Sequence, residues 1–130
     1  MDIKKDIATR KSIDFFLRQF YAKVVKDETI GIIFTKIIPI NWDKHIPLIA
    51  DFWETILLDN HLYKDNAMAK HFAINQIYPL KKTHFKAWLH LFNETIEENF
   101  MGPVANLAKK RAAAIAELMQ LKMNNINEHE

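Results

Sequence analysis

Apolar side chains recur every three or four residues through three long stretches of this chain, a period that keeps them on one face of a helix. The first stripe is Ile13, Phe16, Leu17, Phe20, Tyr21 and Val24. The second is His45, Leu48, Ile49, Phe52, Trp53, Ile56 and Leu57, and the third Phe85, Trp88, Leu89, Phe92 and Ile96. No run of strict alternation bounded by turn residues competes with them, and two glycines and four prolines give little punctuation for a sheet. An all-α fold follows. Each stripe also carries one side chain with a hydrogen-bonding head: Tyr21, His45 or Trp88. Burying such a head without a partner costs about 1–3 kcal/mol, so each needs a protein group, a water or a ligand. Taken singly, each fits ordinary core packing; three on separate helices could also converge on one buried ligand.

With 130 residues, 49% hydrophobic and 26% charged, the chain reads as a single domain over 1–130, with a core from about 6 to 122 and a polar tail at 124–130. Its net charge is only +2, and its eighteen basic residues are spread among sixteen acids, which argues against a nucleic-acid partner. Lys109-Lys110-Arg111 reads as a solvated helix face. The chain start has no apolar signal core and no apolar run approaches ~20 residues, so neither secretion nor membrane insertion is expected and the cytoplasm is the default. The absence of cysteine removes disulfides, thiolate nucleophiles, Cys-based metal sites and thioether attachment of haem. Any metal would be held by His or carboxylate, or arrive inside a non-covalent cofactor.

The pattern predicts a first helix from about Ile7 to Lys26, then a tight helical turn over Ile30–Phe34. Asn41 is placed to cap a short turn, and Pro47 to sit in the first turn of the helix carrying Phe52 to Leu57. That puts His45 at a helix entrance, where motion is easier. Asp59-Asn60 is a helix stop. Residues 61–79 are the least regular stretch, yet hold two histidines and two tyrosines. A third helix is expected from near Leu80 to Met101-Gly102. Pro103 opens a fourth, with the stripe Val104, Leu107, Ala108, Arg111, Ile115, Leu118 and Lys122.

Hydrolytic chemistry has no foothold: there is no H-E-x-x-H, G-x-S-x-G or glycine-rich phosphate loop, and Ser12 is the only serine. Glu97-Glu98 lacks a Glu-x-x-His partner. Among six histidines, His84 and His90 are six positions apart and fall on different helix faces. His71, in the irregular stretch, is placed either as an ordinary satisfied histidine or as a single imidazole ligand to haem iron.

Taken together these residues resemble a known family. Phe20-Tyr21-Ala22-Lys23-Val24, followed by Asp27, Gly31 and Phe34, is similar to the opening of a truncated haemoglobin. Trp42-x-x-His45-Ile46-Pro47 with Phe52-Trp53-Glu54, and His84-Phe85-x-x-Trp88-Leu89-x-Leu91-Phe92, resemble group III of that family. The Tyr63-to-His71 spacing fits its proximal turn. The resemblance covers about residues 6 to 122 and implies a 2-on-2 globin fold around a non-covalent haem b. It implies His71 as the iron ligand and Phe34 as the aromatic on the haem face. Tyr21, Ile49 and Trp88 would line the distal side with His45 at its gate, and Phe52 and Trp53 would fill the haem-side core of their helix. Tyr63, Lys70 and His84 would lie near the propionates. The glycine pairs that shape loops in other groups are absent here, as in group III.

The expected function is binding of oxygen and related diatomics, with redox chemistry on nitric oxide or peroxide in preference to bulk transport. Turnover, whether nitric oxide dioxygenase-like or peroxidase-like with His45 as an acid–base group, would need an external reductase, since the chain has no flavin or nicotinamide motif. A monomer or weak dimer is expected. The rival reading is a cofactor-free helical interaction domain in which Tyr21, His45 and Trp88 are core.

Overall fold

The computed structural model describes residues 4–37, 41–60 and 80–128. Four α-helices account for most of them: α1 (Arg10–Val24), α2 (Trp42–Leu58), α3 (Lys82–Asn99) and α4 (Pro103–Glu128). Among the described residues there is no strand beyond one isolated bridge, Lys5 to Phe100. α1 packs against both α2 and α3, α3 against α4, and α2 touches α4.

α1 starts three residues later than the expected Ile7, because Thr9 in extended conformation caps it, its side chain accepting from the Ser12 N–H at 3.2 Å. Beyond Val24 the chain turns, and the Asp27 carboxylate accepts from the Thr29 and Ile30 N–H groups at 2.9 and 3.0 Å. The expected tight turn follows, with Ile30 and Ile33 buried beneath the helices. It passes into a π-helical turn over Ile33–Ile37, a wide geometry found often at functional sites. Gly31 is required here, since a Cβ would stand 2.8 Å from the Val25 carbonyl oxygen.

The reading of α2 needs correction. It is one helix from Trp42, with Asn41 at its N-cap, so Pro47 lies in its interior and not in its first turn. The stop falls on Asp59, in left-handed conformation at φ 57°, one residue before the asparagine that tolerates it better. α3 begins at Lys82 and ends at Asn99, short of Met101, because Phe100 is extended and the next amide, Met101 N–H, donates to the Lys5 carbonyl at 3.0 Å.

α4 keeps part of its predicted stripe, with Ala108 buried and Val104, Leu107 and Ile115 packed against the core, but Arg111, Leu118 and Lys122 are exposed. Its buried face is Ala105, Ala108, Ala112, Ala116 and Met119, while Leu118 is 53% exposed. Small side chains let α3 and α4 approach closely, so the helix rotates its alanines inward and leaves the leucine outside. Its backbone also stays helical to Glu128, well into the polar tail.

The centre of the bundle is aromatic. Phe16, Phe20 and Phe92 are at most 1% exposed, and Phe16 meets Trp53, Phe92 and Phe100 edge to face at centroid distances of 6.4, 5.5 and 6.3 Å.

Candidate functional site

Tyr21 sits on the last full turn of α1, where the helix stripe aims it inward. Its ring touches four others: Phe20 at 4.9 Å, Trp42 at 5.1 Å, His45 at 5.3 Å and Phe34 at 6.1 Å between centroids. These come from α1 itself, the start of α2 and the π-helical turn. Burial alone pushes the Tyr21 phenol well above its ordinary pKa, with no hydrogen bond to the hydroxyl among the described residues. The group therefore keeps its proton throughout the neutral range and is a donor.

His45 lies one turn into α2, held by its own N–H to the Asn41 carbonyl at 2.9 Å. Its ring is edge-on to both Tyr21 and Trp42, and Nε2 is shielded from solvent. Ile49 follows four residues later on the same face, half-buried against the core. Trp88 reaches the group through Phe20, at 5.8 Å, and is stacked on Phe92 at 5.4 Å. Two donors, a hydroxyl and an indole N–H, and one imidazole are thus joined by ring contacts across three helices.

The chain aligns over 121 residues, 91% of its length, at 30% identity with the group 3 truncated haemoglobin of Campylobacter jejuni, spanning 93% of that protein. It belongs to the group III truncated haemoglobins. The crystal structure of a group III truncated haemoglobin from Campylobacter jejuni superposes with a TM-score of 0.80 at 29% identity, over 93% of this chain and 95% of that one. No protein-family model matches the sequence. The all-α fold expected from the stripes and the globin fold implied by the resemblance are both observed.

Within this truncated haemoglobin the remaining expected site residues divide. Phe34 comes from the π-helical turn and is half-buried, stacked with Trp42 at 6.2 Å and an interplanar angle of 28°. Trp53 lies in the interhelical core, 3% exposed, between Phe16 and Phe92, with Phe52 edge-on beside it at 5.4 Å. His84 stands in the first turn of α3, one turn before Trp88, and its Nδ1 accepts the Lys81 N–H at 2.8 Å. That bond puts the proton of the neutral ring on Nε2. Burial and the neighbouring Lys81 charge lower its pKa, favouring the neutral form. His71, Tyr63 and Lys70 lie outside the described residues.

Two contributors escaped the sequence reading as site residues. Trp42 packs on Tyr21, Phe34 and His45 at once; its signal was the three-residue step to His45, which puts both on one helix face. Arg10 ties α1 to α2 across the site's flank through Asp51, Glu54 and the Pro47 carbonyl. An arginine one residue past a helix cap carries no signal of that reach.

Proposed function

We propose that the chain holds a non-covalent b-type haem and binds oxygen and related diatomic ligands, with redox chemistry on nitric oxide or peroxide in preference to bulk transport. The observation that carries this reading is buried Tyr21, whose hydroxyl keeps its proton and donates to no acceptor among the described residues, set in a cluster with His45 and linked to Trp88. A core tyrosine normally finds an acceptor for its hydroxyl. A polar ligand beside Tyr21 would be that acceptor.

The residues fit haem. Half-buried Phe34, Ile49, Phe52 and Trp88 offer apolar surface from two helices and the π-helical turn, and the absence of cysteine removes thioether attachment. His71 would hold the iron, and Tyr63, Lys70 and His84 would lie toward the propionates, His84 as a neutral Nε2–H donor. Bound haem supplies the iron that takes a diatomic ligand and exchanges electrons with it. The protein's part is to orient and retain: Tyr21 O–H and Trp88 N–H donate to a ligand that gains negative character, and the aromatic wall of Phe20, Phe34 and Trp42 keeps water away. Each ~1.4 kcal/mol of such stabilisation slows release about tenfold where the barrier top does not share it. Electrons would come from a separate reductase.

The test is oxygen release from the ferrous protein by stopped flow. A Tyr21→Phe, Trp88→Phe double variant is expected to release oxygen at least tenfold faster, by the same arithmetic about 1.4 kcal/mol; release no faster than in the parent contradicts the reading.

A further inference from the structure

Arg10, the first residue of α1, crosses to α2 and makes a clamp there. One terminal guanidinium nitrogen donates to Asp51 Oδ1 at 2.7 Å and Glu54 Oε1 at 3.1 Å, and the other to the Pro47 carbonyl at 3.1 Å. Nε is 3.3 Å from Asp14 Oδ1 on its own helix. Glu54 is 8% exposed, and its second oxygen accepts from Asn60 Nδ2 at 2.8 Å. Burial would lower the Arg10 pKa, but the bonds to Asp51 and Glu54 and the charges of Asp14 and Asp51 outweigh it and hold the guanidinium above its ordinary value.

Every α2 partner of this clamp lies at or beyond Pro47. That boundary coincides with a weak point in the helix, because proline has no N–H and the Asp43 carbonyl therefore lacks its intrahelical donor. Ahead of the break lies a short arm, Trp42–Ile46, carrying the two α2 rings of the aromatic cluster. Behind it lies a frame fastened to α1, the helix that also carries Tyr21.

We infer that Arg10 is a positioning residue for the site: it fixes the part of α2 beyond Pro47 to α1, so that the Trp42–Ile46 arm is carried on a rigid frame and His45 is kept beside Tyr21. This rests on reading the Tyr21 and His45 cluster as the ligand-facing site. Among the described residues no second cation pairs with Asp51 or Glu54. Without Arg10, two carboxylates one turn apart would repel, or buried Glu54, its charge no longer paired, would move toward water. Either response shifts the frame, and the arm moves with it.

The experiment compares Arg10→Met, Arg10→Lys and Asp51→Asn, with and without Pro47→Ala. Two readouts are taken: amide hydrogen exchange over residues 42–50 in the haem-free chain, and carbon monoxide rebinding after photolysis in the haem-loaded ferrous protein. Arg10→Met is expected to speed exchange across the arm and to change the rebinding rate, each about fivefold, equivalent to about 1 kcal/mol. Arg10→Lys restores part of both. Pro47→Ala, which returns the missing hydrogen bond, shrinks both effects of Arg10→Met. Asp51→Asn gives the same pattern at smaller size and stands in where Arg10→Met does not fold. A fall in melting temperature with exchange over 42–50 and rebinding both unchanged, in Arg10→Met or in its stand-in, overturns the inference, as does an Arg10→Met effect untouched by Pro47→Ala. Failure to take up haem contradicts the proposed function, while the exchange measurement still decides the role of Arg10.

Discussion

Replacing Asp6 is expected to loosen α4 at its root. Gly102 occupies the N-cap position of that helix and has no side chain with which to accept the first free amides. Asp6 does so from the far end of the chain, its carboxylate accepting from Val104 N–H at 2.9 Å and Ala105 N–H at 2.8 Å, and from its neighbour Ile7 N–H at 2.8 Å. Gly102 has φ 142° and a Cβ there would stand 2.5 Å from Asp6 Cγ, so the close approach depends on glycine. Loss of an N-cap acceptor costs about 1 kcal/mol, and loss of a negative charge at a helix start about 0.3–1 kcal/mol more, so Asp6→Ala should cost about 1.3–2 kcal/mol and Asp6→Asn, which keeps an acceptor oxygen, about 0.3–1 kcal/mol. Burial alone would raise the Asp6 pKa, but the backbone hydrogen bonds from Val104, Ala105 and Ile7 outweigh it and lower the value. A carboxylate whose pKa falls on folding stabilises the protein fully above its unfolded pKa of about 3.9, and the contribution is lost as pH falls through the lower folded value. Urea unfolding should therefore give a constant gap between wild type and Asp6→Asn from about pH 5 to 8, closing below about pH 4. A gap that persists undiminished to about pH 2 would refute the charged-cap reasoning, as would the absence of any gap at neutral pH.

Tyr21→Phe separates function from stability, since the hydroxyl makes no hydrogen bond among the described residues. Its melting temperature should equal or exceed that of the parent, while oxygen release quickens. Phe16→Ala removes a ring with 0% exposure and three aromatic neighbours and should cost about 3–5 kcal/mol in denaturant unfolding. Gly31→Ala must push a Cβ against the Val25 carbonyl and should cost about 1–3 kcal/mol, read in the same assay.

The helical stripes of α1, α2 and α3 were legible because one burial face per helix writes a period of three to four residues, and Tyr21, His45 and Trp88 stood out as polar heads on those faces. Their meeting was legible as a possibility only; the contact of Tyr21 with His45 and the bridge from Phe20 to Trp88 depend on how helices cross, which spacing within one helix does not encode. The same limit hid the Asp6 cap and the Arg10 clamp, whose partners lie far away in the chain. α4 misled for a different reason. Alanine weighs little in a hydrophobic pattern, so the leucines drew the predicted stripe, while close packing on α3 selected the alanines. Pro47 misled because a first-turn position is the preferred one for proline, whereas the helix starts earlier, with Trp42 packing on Tyr21 and Phe34.

The proposed function requires this group III truncated haemoglobin to hold one haem under Tyr21, His45 and Trp88, with His71 as the proposed iron ligand. The most direct test is a titration of haemin into the haem-free chain, followed by its absorption band, in wild type and in His71→Ala. The expected result is saturation at one haem per chain with an intense, sharp band, and a band that His71→Ala weakens or shifts. A chain that takes up no haem, or a His71→Ala band indistinguishable from that of wild type, would contradict it.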